Sequence, residues 1–383
     1  MSVDAPGVPA GISDPVNARI LQVSEDRIAG FQPDPFGAIA AASGESVETV
    51  LSRIRAMLEA GTVRRVRQTL LATSLAPGAL VAWRIAPEKL HDAFDWLFER
   101  DPFSGHVVIR STDADTPGSV YRLWTTLKVP QGYSVAKHAE FLRRTIGADS
   151  FRLMPAKRLF ALGVGHLRRR SLEVGSMAEV PAEPRDAVAV RLSDLEWRVL
   201  GALKRELDPG EVRRDVWRHR AEAAGMDPDV FLETARALDT RGVIGRFSTF
   251  LEHVKPTADN ERVTRYNALF HWAVPPGREN EAGCEVGRFH CMTHAYWREG
   301  GPEFANVNVM GVAHGVDKEL VLANKAAIDS HLARVGIPVS YTNVFWGGRS
   351  EIKPSEILPA EYAAFCAEHG LDPLAMRDEE GGK

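Results

Sequence analysis

Five of the chain's twelve histidines fall close together in sequence: His253, His271, His290, His294 and His314. The segment THAYWREGGPEFANVNVMGVAHG is the most informative part of that cluster. Read as two strands, it places His294, Tyr296 and Arg298 on one face of the first. Asn308, Met310, Val312 and His314 then share one face of the second. A hairpin of this kind offers proton donors, a guanidinium and an amide on one surface. Histidine is the side chain whose ordinary pKa lies nearest neutrality, so His294 and His314 suit a proton transfer to a bound molecule. The opposite parity, Val307, Val309, Gly311 and Ala313, is small and apolar and suits a sheet face covered by helices.

The elements that must position these residues come in two similar sets. Residues 13–66 read as three helices: one near Asn17 to Gln22 behind an Asp14 cap, one around FGAIAAASG, and SVETVLSRIRAMLEAG, whose apolar positions recur at helical spacing until Gly61. The β-branched TVRRVRQTLLA follows as a wing would. Residues 191–252 repeat this order, and EAGTVRRVRQTLL against DTRGVIGRFSTFL is the clearest internal match. After each set comes a βαββαβ succession. The expected fold is α+β, a tandem duplication of a winged helix-turn-helix and a ferredoxin-like domain. The expected boundaries are 13–72, 76–170, a linker at 171–190, 191–254, 264–358 and a C-terminal extension at 359–383.

Composition narrows the class. A chain of 383 residues has room for two or more cores, and its net charge of −4 does not hold a polyanion by bulk electrostatics. No apolar run approaches the ~20 residues of a membrane span, and MSVDAPGVPAGISDP lacks the features of a secretory signal, so a cytoplasmic protein is expected. Three cysteines make no disulfide framework. HCMTH has no second pair at zinc spacing, so no resident metal is expected.

The order of elements resembles that of the Lrp/AsnC regulators over nearly the whole chain. A narrower resemblance is to the siroheme decarboxylases, enzymes similar to Lrp/AsnC proteins that occur as two related subunits or one fused chain. Their motif runs S-H-C-Y, an arginine, W-P-Y-N-L, a methionine and H-G. This sequence keeps His294, Tyr296, Arg298, Asn308 and His314-Gly315 in that order, and an upstream R-x-x-x-x-L-x-H as Arg246, Leu251 and His253. GGRSEIKP supplies Arg349 and Lys353 where the family carries a basic segment. Thr293 and Ala295 stand for Ser and Cys, and Ala305, Asn306 and Val307 for W-P-Y. In the first half, His106, Arg110, Tyr121 and Trp124 resemble the motif only faintly, so the second half is expected to be the active one.

The resemblance implies loss of CO2 from two acetate side chains of siroheme, in haem d1 or alternative haem synthesis, with no cofactor beyond the iron tetrapyrrole itself. His294 and His314 are then proton donor or relay, with Tyr296 orienting one of them. Arg298 and Arg246, with Arg349 and Lys353, would hold spectator carboxylates. Asn308 belongs to the substrate-binding set, and His253 or His271 would ligate the substrate's iron. The two halves are expected to pair within the chain.

Ordinary readings stand beside these. A lone strand histidine such as His271 is commonly core. His91, His138, His219, His331 and His369 read as solvated, and Trp83, Trp124, Trp272 and Trp346 as packing residues. The Arg64, Arg65 and Arg67 cluster and the Arg168 to Arg170 cluster fit solvent as well as a ligand. The alternative function is a transcription regulator or a haem-binding sensor without turnover. DPDVFLETARALDTRG, with four acids against two arginines, is a poor surface for DNA.

Overall fold

The structure, a computed structural model, describes residues 7–71, 75–163, 172–186, 190–252, 257–261 and 263–378. The chain divides into two compact units that group like with like. One holds Met1–Leu71, Val164–Ser171 and Val190–Arg265, the other Ala72–Gly163, Leu172–Ala189 and Tyr266–Lys383. No helix among the described residues is long and apolar enough to cross a membrane.

The first unit begins with α1 (Pro15–Ser24), β1 (Ile28–Ala29), α2 (Pro35–Ser43), α3 (Val47–Glu59) and β2 (Val63–Leu70). Asp14 and Ser46 cap α1 and α3 by accepting from free backbone N–H groups, each cap worth about 1 kcal/mol. On α3, Val50, Ile54 and Met57 are fully buried, as their i, i+4, i+7 spacing requires.

The second unit begins with β3 (Gly78–Arg84), α4 (Leu90–Glu99), β4 (Ser104–Ser111), β5 (Tyr121–Lys128), α5 (Val135–Thr145), β6 (Ser150–Pro155), β7 (Arg158–Leu162) and β8 (Arg185–Asp186). The chain then returns to the first unit with α6 (Asp194–Lys204), α7 (Val216–Ala223), α8 (Pro228–Thr240) and β9 (Ile244–Leu251). There β9 pairs antiparallel with β2, giving one sheet in the order β1-β9-β2.

The rest of the second unit is β10 (Tyr266–Ala273), α9 (Glu279–Gly287), β11 (Met292–Trp297), β12 (Val309–Gly315), α10 (Lys318–Arg334), β13 (Tyr341–Ile352) and α11 (Pro359–Glu368). The strands run β6-β3-β5-β4-β13-β10-β12-β11-β7-β8. Each repeat therefore contributes four strands in the order fourth, first, third, second. The joins between repeats are equivalent. β13 pairs with β10 along Tyr341 to Gly347 and with β4 from Trp346 to Ile352, while β6 pairs with β3 and β7 with β11. Only Ala156 and Lys157 separate β6 from β7, so the sheet closes on itself as a barrel.

Two cores lie under the helices outside the barrel, and a third fills its interior. The interior draws on both repeats: Ala82, Val108, Trp124 and Met154 from the first meet Leu269, Phe304, Met310 and Phe345 from the second. Strand alternation explains the division, because Val107 and Ile109 face the helices while Val108 faces inward.

Several sequence expectations change. Val309 and Ala313 do face the helices, but Val307 enters the barrel core with Met310. Val307 precedes the first residue of β12, Val309, and follows the left-handed Ala305 and Asn306 (φ 52° and 56°), so it does not share the strand's alternation. The described part of the supposed linker is strapped to the second repeat. Ala178 N donates to Arg288 O at 3.0 Å, Ala182 N to Cys284 O at 3.0 Å, and Gly175 N to Asn324 Oδ1 at 3.1 Å. His138 is completely buried rather than solvated, with Nε2 3.2 Å from Asp101 Oδ1 and Nδ1 3.0 Å from Tyr362 Oη. His331 is buried too, its Nε2 2.6 Å from Glu285 Oε2. The C-terminal helix α11 supplies Tyr362, Phe365 and Cys366 to the first repeat's core.

Candidate active site

Four strands align one row of residues on the inner face of the barrel. Arg110 on β4 lies opposite Gly347 on β13, Gly347 opposite Asn267 on β10, and Asn267 opposite His314 on β12. Gly347 has no side chain to block the row; a Cβ there would stand 3.2 Å from Asn267 Cβ. Arg110 therefore reaches across the join. Its Nη1 donates to Asn267 Oδ1 at 3.2 Å and to Phe345 O at 3.2 Å.

The remaining hydrogen bonds follow from that first one. With Oδ1 facing Arg110, the amide nitrogen of Asn267 faces His314 and donates to its Nε2 at 3.1 Å. Nε2 must then carry the lone pair, and the proton of neutral His314 resides on Nδ1. Thr293 Oγ1 lies 3.3 Å from that Nδ1 and 3.2 Å from Nδ1 of His294, and spends its own proton on Val312 O at 2.9 Å. One hydroxyl thus accepts from both imidazoles. Irregular pairing between Met292 and His294 goes with this arrangement, in which Thr293 and His294, consecutive in sequence, turn toward one another so that both imidazoles reach the Thr293 hydroxyl.

Beyond His294 the series continues along β11. The His294 and Tyr296 rings stack at 6.0 Å and 18°, and Arg298 places its guanidinium carbon 4.4 Å from the Tyr296 ring centroid. Arg298 also donates to Met154 O of the first repeat. Burial shifts the end groups. It raises the Tyr296 phenol, lowers the Arg298 guanidinium, and pulls Arg110 down to about 9. The result is an arc with a cation at each end and two linked imidazoles between. Such a surface can bind anionic groups at its ends and move a proton at its centre.

No protein-family model matches the sequence, and no curated protein matches it. Among solved structures, the siroheme decarboxylase NirDL is similar, with a TM-score of 0.64 at 18% identity, over 92% of this chain and 97% of that one. The same enzyme in co-complex with an iron-uroporphyrin III analogue is similar at a TM-score of 0.63 and 17% identity, over 92% and 99% of the two chains. The chain has the fold of the siroheme decarboxylase NirDL. The agreement spans nearly the whole of both chains.

Of the residues singled out by sequence, the barrel brings together His294, His314, Tyr296 and Arg298. It does not bring Asn308 to them. The Asn308 side chain donates to Val274 O at 2.8 Å and accepts from Val274 N at 2.9 Å, a buried clamp beside Glu279 of α9. Arg349 and Lys353 are also engaged elsewhere, beyond irregular pairing between Gly347 and Ser350. Arg349 pairs with Asp95 and lies 4.2 Å over the Phe94 ring, and Lys353 donates to Phe98 O. His271 is fully buried beside Trp124, Phe304 and Phe345, with neither ring nitrogen hydrogen-bonded. Arg246 belongs to the other unit, where its Nε donates to Glu25 O at 3.2 Å. His253 and the Arg168 to Arg170 cluster lie outside the described residues.

Asn267 and Arg110 were not among the sequence candidates for this site. Arg110 had a signal, since GHVVIR keeps the histidine-to-arginine spacing of THAYWR. The register confirms the equivalence: His106 and Val108 lie opposite Thr126 and Trp124 as His294 and Tyr296 lie opposite Val312 and Met310. Thr293 was noted only as a substitution, although its hydroxyl joins the two histidines.

Proposed function

We propose that the protein is a siroheme-decarboxylase-like carboxy-lyase acting in the cytoplasm on an iron tetrapyrrole. In this reading the first unit is a pair of winged helix-turn-helix modules and the barrel a pair of ferredoxin-like domains, the duplicated architecture expected from sequence. The observation that carries it is the pair of imidazoles joined through Thr293 and bracketed by Arg110 and Arg298. The complex of NirDL with an iron-uroporphyrin III analogue supports a tetrapyrrole as the ligand class.

Each reaction cycle breaks the bond between an acetate methylene and its carboxylate. CO2 leaves, the electron pair remains on the methylene carbon, and a proton added there gives a methyl group. In its imidazolium form His294 or His314 supplies that proton from Nε2, while Thr293 accepts from Nδ1 of both rings. Tyr296 steadies His294 by stacking, and the flanking arginines hold carboxylates that do not react. His271 is held neutral down to about pH 3 by burial, with Arg110 and Lys325 adding to the effect, so it serves no acid step near neutrality. A neutral imidazole with unpartnered nitrogens still meets the requirement for ligating the substrate's iron.

The regulator reading gains no support from the first unit. Arg53 pairs with Asp14 at 3.3 Å, Arg55 donates to Val212 O at 2.9 Å, and Arg241 pairs with Glu196, so cations of both candidate recognition helices are already engaged. Anaerobic incubation with siroheme tests the proposal. A spectral change on mixing followed by stepwise loss of CO2 is expected; no binding, together with a gel shift of promoter DNA at physiological salt, would favour the regulator.

A further inference from the structure

We propose that Lys128 and Arg298 together form a carboxylate-binding site inside the barrel, at the place in the first repeat that corresponds to His314 in the second. The strand registers identify the position. Gly78 lies opposite Lys128 as Asn267 lies opposite His314, and Leu80 opposite Thr126 as Leu269 opposite Val312. Lys128 is thus the counterpart of His314, and Gly78 of Asn267. Where His314 receives a hydrogen bond from an amide, Lys128 faces a residue with no side chain. Its Cγ lies 2.8 Å from where a Cβ on Gly78 would stand.

The guanidinium beside it comes from the other repeat. Arg110 donates to Phe345 O on β13, and Arg298 donates to Met154 O at the equivalent place on β6. Each arginine therefore crosses the join into its partner repeat's site. On one side the crossing arginine meets an amide and a histidine. On the other it meets a second cation. Burial, with the positive charge of Arg298 adding to it, brings the Lys128 ammonium down to about 8.

Two half-buried cations of like charge acting on one another favour an anion between them. The chain does not supply one among the described residues: Lys128 makes no ion pair, and no acid is among the groups acting on it or on Arg298. Glu299, next in sequence to Arg298, is paired with Lys157, and Glu303 lies 3.9 Å from Arg152. A carboxylate fits the opening, since a guanidinium takes it through a fork and an ammonium adds a point charge. Under the proposed function this carboxylate is a side chain of the tetrapyrrole, and to that extent the inference rests on that reading.

Reductive 13C-methylation of lysines, with the Lys128 resonance assigned by its loss in Lys128→Gln, tests the site. The free protein is expected to show Lys128 titrating well below an ordinary lysine, and saturating acetate or iron uroporphyrin III to move that midpoint upward by a unit or more. Affinity for iron uroporphyrin III is expected to fall about tenfold in Lys128→Gln and to stay within about threefold of the parent in Lys128→Arg. A Lys128 resonance that neither anion moves, or unchanged affinity in Lys128→Gln, overturns the proposal. If acetate moves the resonance but the protein binds no iron uroporphyrin, the carboxylate site stands and the tetrapyrrole reading fails.

Discussion

Arg110 and Asn267 belong to different repeats, 157 positions apart, and meet at 3.2 Å because Gly347 between them has no side chain. This contact fixes the orientation of the Asn267 amide and, through it, the tautomer of His314. Asn267→Asp replaces a donor with a carboxylate, so His314 is expected to take a proton on Nε2 and its titration midpoint to rise by about a unit or more. Long-range 1H–15N spectra of the histidines measure this directly. A midpoint unchanged by the substitution would mean that Asn267 does not govern His314.

Thr293 is expected to matter more for turnover than for stability. Thr293→Val removes the oxygen that accepts from both imidazoles and should lower kcat by about tenfold or more, with a stability loss of about 1 kcal/mol. Thr293→Ser keeps the oxygen and should restore most of the rate. If the valine variant turned over like the parent, the shared hydroxyl would have no part in the proton transfer.

Acid should destabilise the barrel through His271. Its pKa falls from 6.5 to about 3 on folding, so between those values the unfolded chain binds the extra proton and stability drops as pH falls. The contribution is intact above pH 6.5 and costs about 2 kcal/mol between pH 7 and pH 5. His271→Met should remove that part of the slope and leave stability at pH 7 equal or higher, because two unpartnered nitrogens disappear from the core. Denaturant titrations of parent and variant at the two pH values decide it; parallel slopes would contradict the account.

The strand periodicity and the internal repeat made much of this legible in advance. They placed His294, Tyr296 and Arg298 on one face and His314 on a neighbouring strand. They did not show which strand edges join, and so could not bring Arg110 to Asn267. Parity also misplaced Asn308, because β12 begins only at Val309 and the alternation breaks there: Asn308 and Val309 both face the helix side, with Val307 and Met310 inside the barrel. Arg349 and Lys353, taken from the family's basic segment rather than from parity, are engaged with Asp95 and Phe98 O in this structure. His138 had a usable signal: Val135, His138, Ala139 and Leu142 keep the spacing of a helix face, and that face is packed against α11.

The carbon that receives the proton offers the most direct test of the whole account. Siroheme incubated anaerobically with the protein in D2O, then extracted for mass spectrometry, should lose two CO2 units and carry one solvent deuteron in each new methyl group. His294→Ala and His314→Ala should each slow that conversion strongly while iron uroporphyrin III still binds. Recovery of intact siroheme from the parent protein, or an undiminished rate in both histidine variants, would contradict the claim that this arc of residues is a decarboxylase site.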